Sequence, residues 1–346
     1  MKKFLCVVSG VILFGSFTAF AWDYEGHRMV NQIALASLPT NFPSFIRTSA
    51  NQERVTFLSG EADRWRNTTE LPLKHFNGPD HYIDIDELEL YKLSPGSLSH
   101  FRYEFVGQLA VARAMHPTNF PPVDETKNED KTRTLVGLLP WTLTEYYAKL
   151  KSGFSYLKTF EAGGTPEEIT NAQQNIIYIM GVMGHFAGDS TQPLHTTVHH
   201  HGWVGANPKN YATNSSIHAW VDGGYLKSAG IRFPEMRSRV RPAKVFSATS
   251  PNAASPDIFP TVMNFILVQH KLVEPLYQLN QNGSLSDHGE AGSKGRAFIT
   301  QQLLAGGQFL GDLWCSAWQS APIDTFLKSQ LAKRKLAETA PAPAQP

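Results

Sequence analysis

The chain has 346 residues, long enough to bury a large core as one domain or as two smaller ones. Its 31 Lys and Arg stand against 30 Asp and Glu, so no strongly basic field draws it to nucleic acid or to an anionic membrane, and a phosphate-binding role would need locally placed charge such as metal ions. Only Cys6 and Cys315 are present, which excludes a disulfide-stapled scaffold and leaves stability to the core or to metal.

In chain order, the first element is a leader. Lys2 and Lys3 precede an apolar run over 4–20, and Ala19-Phe20-Ala21 forms a small-x-small cleavage site. The run is shorter than the ~20 residues of a spanning helix, so residues 1–21 read as a secretory signal peptide rather than an anchor. Cys6 lies inside the run, away from the cleavage point, so no lipoprotein site is present. Cleavage would leave Trp22 as the N-terminal residue of a secreted or periplasmic protein with no membrane span. Three acceptor patterns, at Asn67, Asn214 and Asn282, matter only in a host that glycosylates.

Helical apolar spacing marks 27–38, ended by Pro39, and 101–115, ended by Pro117. The Pro-rich, charged stretch 118–134 reads as a loop, and 140–160 again as helix. Thr165-Pro166-Glu167-Glu168 is a helix start, with a Thr cap, Pro in the first position and acids in the first turn, opening a helix that runs to Asp189. Further helices are expected over 260–281 and 294–319. "HYIDID" at 81–86 is the best strand candidate, and it can equally be irregular. The expectation is a mainly α protein: one domain over 22–330, then a low-complexity, disordered tail over 331–346.

The chemistry concentrates in "GHFAGDSTQPLH" at 184–195. His185 and Asp189 are four apart on one helix face, Pro193 breaks the helix, and His195 follows. Downstream, "SIHAWVD" repeats the four-residue spacing with His218 and Asp222. Imidazole and carboxylate are zinc ligands, and this spacing lets both reach one ion. One such pair is commonly just a surface pair; two pairs together with His195 are far less common by chance. His27, Asp63 and His81 add candidates that, taken singly, read as structural.

Together these residues resemble the S-one/P-one nuclease family, the trinuclear-zinc, single-strand-specific secreted nucleases that share a helical fold with zinc-dependent phospholipase C. The resemblance rests on Trp22 followed five residues later by His27, on Ala62-Asp63 with Arg66, on His81-Tyr82-Ile83-Asp84, on the His185-to-His195 signature, and on His218 with Asp222, in order along the chain. It implies a single-domain helical fold of the zinc phospholipase C and nuclease type, with three zinc ions per chain. Asp63, His81, His185 and Asp189 would hold the first. His195, His218 and Asp222 would hold the second. The amine and carbonyl of a processed Trp22, with His27 and Asp189, would hold the third, Asp189 bridging to the first.

What the resemblance implies for activity is hydrolysis of phosphodiesters by zinc-activated water, giving 5′-phosphorylated products from single-stranded DNA or RNA. Asp63 and Arg66 are its catalytic candidates, Arg66 contacting the phosphoryl oxygens. Tyr82 would stack on a base and Asp84 would meet the base edge. Substrates would be single-stranded nucleic acid or nucleotides, and no stable protein partner is implied.

The chain departs from the family in three places. It carries a longer stretch between His81 and His185, it lacks the fungal disulfides, and it adds His199, His200 and His201, which read as loop residues. A zinc-dependent phospholipase C is the alternative; Asp222, where that pattern has Glu, and Arg66 in its motif favour the nuclease, and no apolar lipid-docking stretch stands out. A non-catalytic secreted zinc-binding protein is a third reading, and it would require a missing ligand.

Overall fold

A computed structural model describes residues 22–247, 257–286 and 289–339. The expectations for the leader, 1–21, and for the end of the tail, 340–346, lie outside the described residues. The protein is mainly helical: 70% is helix, and no strand occurs among the described residues.

α1 (Tyr24–Ser37) starts where Asp23 caps it, its side chain accepting from the Gly26 amide. Three short helices follow that the sequence pattern did not mark: α2 (Ser49–Leu58), α3 (Glu61–Arg66) and α4 (Leu71–Asn77). α5 (Arg102–Met115), α6 (Leu139–Gly163) and α7 (Pro166–Asp189) match the periodic segments closely. α7 opens with a reciprocal capping box between Thr165 and Glu168, an arrangement that stabilises a helix start by about 1 kcal/mol.

Next, α8 (Ser216–Ala219), a π turn over Trp220–Gly224 and α9 (Tyr225–Ser228) form one continuous helical run, with α10 (Phe233–Met236) after it. The expected helix over 260–281 is two: α11 (Phe259–His270) and α12 (Val273–Gln281), broken at Lys271 and Leu272, whose backbone forms a turn on Gln269. α13 (Glu290–Ser320) packs along α1, α6 and α7, and α14 (Thr325–Thr339) packs on α6.

Two expectations need correction. Residues 81–86 are not a strand: they join two 3-10 turns, Gly78–His81 and Ile85–Glu89, through one isolated bridge between Ile83 and Gly137. A strand needs a neighbouring ladder, and here the segment's amides go instead to His195 O and Val136 O. Nor is 331–339 a disordered tail. It continues α14, where Arg334 makes two bonds to the Glu168 carboxylate that also caps α7.

The core is formed by α1, α6, α7 and α13, with Ile33, Leu150, Phe154, Ile176, Met180, Leu310 and Trp314 all buried. α7 comes close to α1 because Gly184 and Gly188 face it: a Cβ at Gly184 would fall 1.6 Å from Asn31 Oδ1, and one at Gly188 would fall 2.6 Å from His27 Nδ1. Asn31 donates to Val55 O at 2.8 Å and Gly181 O at 3.1 Å, tying α1, α2 and α7 together at the level of the ligands. Arg102 of α5 does the same from the other side, with Asp80 at 2.6 Å and Glu145 at 2.8 Å. It thereby joins α5 and α6 to the turn that carries His81.

α5 also exposes Tyr103, Val111 and Met115 on its outer face, beside Phe101. The sequence pattern had suggested no such apolar surface. Among the described residues no helix is long and apolar enough to cross a membrane.

Candidate metal centre

Three elements far apart in sequence bring the first group of ligands together. α3 supplies Asp63, the 3-10 turn before Tyr82 supplies His81, and the last turn of α7 supplies His185 and Asp189. His81 Nδ1 lies 3.1 Å from Asp189 Oδ2 and 3.0 Å from His185 Nε2. His185 Nε2 lies 3.4 Å from Asp189 Oδ2 and 3.8 Å from Asp63 Oδ1, and His81 Nδ1 lies 4.0 Å from that same oxygen. Ligand atoms at zinc bond lengths in a tetrahedron stand about 3.3 Å apart, so His81, His185 and Asp189 are spaced to hold one ion, while Asp63 groups with His27 and His185.

A second group lies beside it. His195 sits in a 3-10 turn set by Pro193, His218 on α8, and Asp222 in the π turn that follows. His218 Nε2 is 3.0 Å from both His195 Nε2 and Asp222 Oδ2. The two groups touch, since His195 Nδ1 is 3.7 Å from Asp189 Oδ1.

His27 and Trp22 complete the arrangement. His27 is fully buried, stacks on the His185 ring at 3.9 Å, and points Nε2 at Asp189 Oδ1 from 3.5 Å. The two oxygens of Asp189 thus face different imidazoles, Oδ2 towards His81 and His185, Oδ1 towards His27. His27 also lies near Asp63 and His185, so it can share an ion with either carboxylate. Trp22 is fully buried, and its indole N–H donates to Gly188 O at 3.1 Å. Burying that ring contributes at most about 4–6 kcal/mol, which fixes the start of the described chain against the end of α7. The Asp23 amide donates to Asp222 O at 3.0 Å, tying the same segment to the second group.

Partners behind the ligands set their tautomers. His185 Nδ1 donates to Ser59 O at 2.7 Å, and His195 Nδ1 donates to His81 O at 2.6 Å. Each bond leaves the Nε2 lone pair directed inward, as a metal ligand requires. Gln192 donates to Asp222 Oδ1 and leaves Oδ2 facing His218. Sequence reasoning missed Gln192, Ser59 and Asn31 as supports of the site. Gln192 was within reach, lying inside the signature; the others act through backbone contacts that no spacing announces.

The chemistry of the donor set fits cations. Buried side-chain atoms without a hydrogen-bond partner include both nitrogens of His27, His81 Nε2, Asp189 Oδ1, His218 Nδ1 and Asp222 Oδ2. Such groups are costly unless something positive or polar meets them. Burial pushes Asp189 and Asp222 well above the usual carboxylate range. It pushes His27, His81 and His218 well below the usual imidazole value, and His195 down to about 3, with the other imidazoles and Arg66 adding to most of these shifts. The buried His and Asp groups can hold metal ions.

These groups lie beneath and along a cleft of about 770 Å³ lined by Arg66, Tyr82, Asp84, His195, His200 and His218, among others. Arg66, three residues after Asp63 on α3, holds Asp63 Oδ1 at 3.2 Å. Tyr82 is half-buried, Asp84 is buried with Oδ1 unpartnered, and burial together with Glu87 and Asp86 raises the Asp84 carboxyl. Of the twelve residues singled out in the sequence, Arg66, Tyr82, Asp84, His195 and His218 line this cleft, His27, Asp63, His81, His185, Asp189 and Asp222 belong to the adjoining buried groups, and Trp22 packs on Gly188.

Of the three extra histidines, His199 is structural: it stacks on Trp203 at 4.0 Å, and its Nδ1 accepts from the Val204 amide. His200 and His201 line the cleft next to His218. Compared with models of known protein families and with curated proteins, the chain matches none.

Proposed function

We propose that the protein is a secreted or periplasmic zinc-dependent phosphodiesterase that cleaves single-stranded nucleic acid to 5′-phosphorylated products. The observation that carries this reading is the pair of buried His/Asp groups, joined through Asp189, under a cleft that also presents a guanidinium, a half-buried tyrosine and an unpartnered carboxyl. Nitrogen and oxygen donors without thiolate suit hydrolytic zinc.

Asp63, His81, His185 and Asp189 would hold one ion, and His195, His218 and Asp222 a second. Trp22, through the amine and carbonyl of the processed chain, would hold a third with His27 and Asp189. When bound, zinc supplies Lewis acidity and makes water ionise near neutral pH.

The chain's own residues do the rest. Arg66 meets the phosphoryl oxygens with a planar donor fork, and its ion pair with Asp63 at 3.2 Å holds it beside the ligand groups. Tyr82 offers a face to a base, which favours strands whose bases are already unstacked. Asp84 contacts the base edge and binds without carrying the reaction.

The test uses the processed protein beginning at Trp22, with zinc counted per chain. A single-stranded oligonucleotide and phosphatidylcholine are supplied in parallel, before and after chelation. The reading expects three zinc ions, 5′-phosphate products from the oligonucleotide, loss of activity with chelator and recovery with added zinc. Activity indifferent to chelator would overturn it. Phosphocholine release without strand cleavage would move the function to the alternative, a zinc-dependent phospholipase C. The apolar outer face of α5, with Tyr103, Val111 and Met115, favours that alternative. Bound zinc with no hydrolysis of either substrate would leave the third reading, a secreted zinc-binding protein without catalysis, and little zinc with no hydrolysis would overturn all three.

A further inference from the structure

The longer stretch between His81 and His185 forms one wall of the cleft. Thr126, Lys127, Asp130, Thr132 and Arg133 of this wall line the same space as Arg66 and Tyr82. The wall is fixed to the segment that carries His81, Tyr82 and Asp84. The Asp84 amide donates to Val136 O at 2.7 Å, Leu138 to Pro79 O at 2.7 Å, and Leu139 to Tyr82 O at 3.1 Å. Gly137 makes this approach possible: its φ is +95°, and a Cβ there would fall 2.1 Å from Tyr82 O.

Arg133 sits four residues before that glycine. Its amide donates to Asn128 Oδ1 at 3.2 Å, and its Nε donates to Lys127 O at 2.9 Å. The first fixes the backbone and the second orients the side chain, leaving the two terminal nitrogens of the guanidinium for a ligand. Its charge acts on the Tyr82 hydroxyl and the His200 ring, while that of Arg66 acts on the buried ligand groups. The cleft therefore carries one guanidinium beside the metal ligands and another at the Tyr82 end. Of the nearby acids, Asp130 is turned to the Thr132 amide and hydroxyl at 3.3 and 3.0 Å. The volume, about 770 Å³, lies in the upper part of the range for small-molecule sites, more space than one phosphodiester needs.

We propose that Arg133 binds the phosphate of a neighbouring nucleotide, so that the cleft selects a strand with a second phosphate over an isolated phosphodiester. The proposal rests on the nuclease reading and names its substrate class: a polynucleotide, engaged by Arg66 at the reacting phosphate and by Arg133 at the next. A planar fork suits the two free oxygens of a phosphodiester.

The test is a cycle of two changes measured by kcat/KM on a short single strand with one cleavable linkage. One change is Arg133→Gln. The other replaces a single flanking phosphate of the strand with an uncharged methylphosphonate, scanned over the neighbouring positions. Each change alone should cost about tenfold, as expected for one charge-assisted hydrogen bond. At one flanking position the two together should cost no more than either alone. Arg133→Lys should recover part of the loss, since it keeps the charge while giving up the Nε bond to the loop.

Independent, multiplying losses at every position would overturn the subsite and leave the nuclease reading standing. Arg133→Lys as damaged as Arg133→Gln would also overturn it, by showing that the side chain only anchors the loop. No cleavage of any strand by the unaltered, zinc-loaded protein would overturn the nuclease reading and the subsite together.

Discussion

Asp189 turns its two oxygens to different imidazoles. Its Oδ2 faces His81 and His185, its Oδ1 faces His27, and it is fully buried at the end of α7. Asp84 is also buried, but stands apart from the imidazoles of that group, next to Tyr82 and 3.9 Å from His200. Asp189→Asn should therefore lower zinc content and reduce activity by more than about 100-fold, beyond the effect of losing a supporting contact. Asp84→Asn should keep the zinc and cost only about tenfold, the scale of one base contact. Equal losses, read by metal content and initial rates, would remove the bridge from the model of the site.

Protonation at the same residues gives a second expectation. Burial raises Asp189 and Asp222 and lowers the imidazoles around them. Burial in the metal-free site therefore favours the neutral form of these imidazoles and of the Asp189 and Asp222 carboxyls. Zinc needs both in the deprotonated form, so binding must expel protons, and they come from the carboxyls. Calorimetric titration of zinc into metal-free protein, in buffers of different ionisation enthalpy, should show net proton release at pH 6. Absence of release would mean that the carboxylates are ionised before the metal arrives.

Among the elements, α7 was the most legible in sequence and the most consequential. Its cap, its Pro, its apolar period and its ligand pair all lie within one segment, so local rules suffice. What they do not reveal is why two ligand-bearing helices can approach so closely. Gly184 and Gly188 face Asn31 and His27, and there is no room for a Cβ. Gly184→Ala gains about 1 kcal/mol of helix propensity yet forces Asn31 out of its bonds to α2 and α7. A net destabilisation of about 1–3 kcal/mol is expected by urea unfolding, the usual cost of overpacking. A stabilised variant would show that α1 shifts freely.

The segment 81–86 takes the irregular form of the two that its sequence allows, for the opposite reason. Its alternation of apolar and polar residues is real, but its amides are satisfied by His195 and Val136, which are remote in sequence. The end of α14 escaped notice similarly: its composition is polar, and the Arg334–Glu168 contact that holds it is tertiary.

At the scale of the whole molecule, the start of the described chain lies at the site. Trp22 is buried against Gly188 and Thr191, and the next amide bonds to Asp222 O. A protein beginning at Trp22 should hold one more zinc per chain than a version with a single residue added before it, since acylation removes the amine's lone pair. Equal counts in the two preparations would mean that His27 and its carboxylates need no help from the N-terminus.

By itself the sequence determined the helical class and the long helices and singled out the His and Asp residues of the candidate site, because each is encoded by local period, local capping or a short motif. Tertiary structure alone decided that these residues meet: Asp63, His81 and His185 come from three elements separated by up to 122 positions and converge within 4.0 Å. It also decided that Thr126, Lys127, Asp130, Thr132 and Arg133 line the cleft opposite the segment that carries Tyr82. Neither outcome has a local signature, because both depend on which backbone groups and which glycines lie opposite one another once the helices pack.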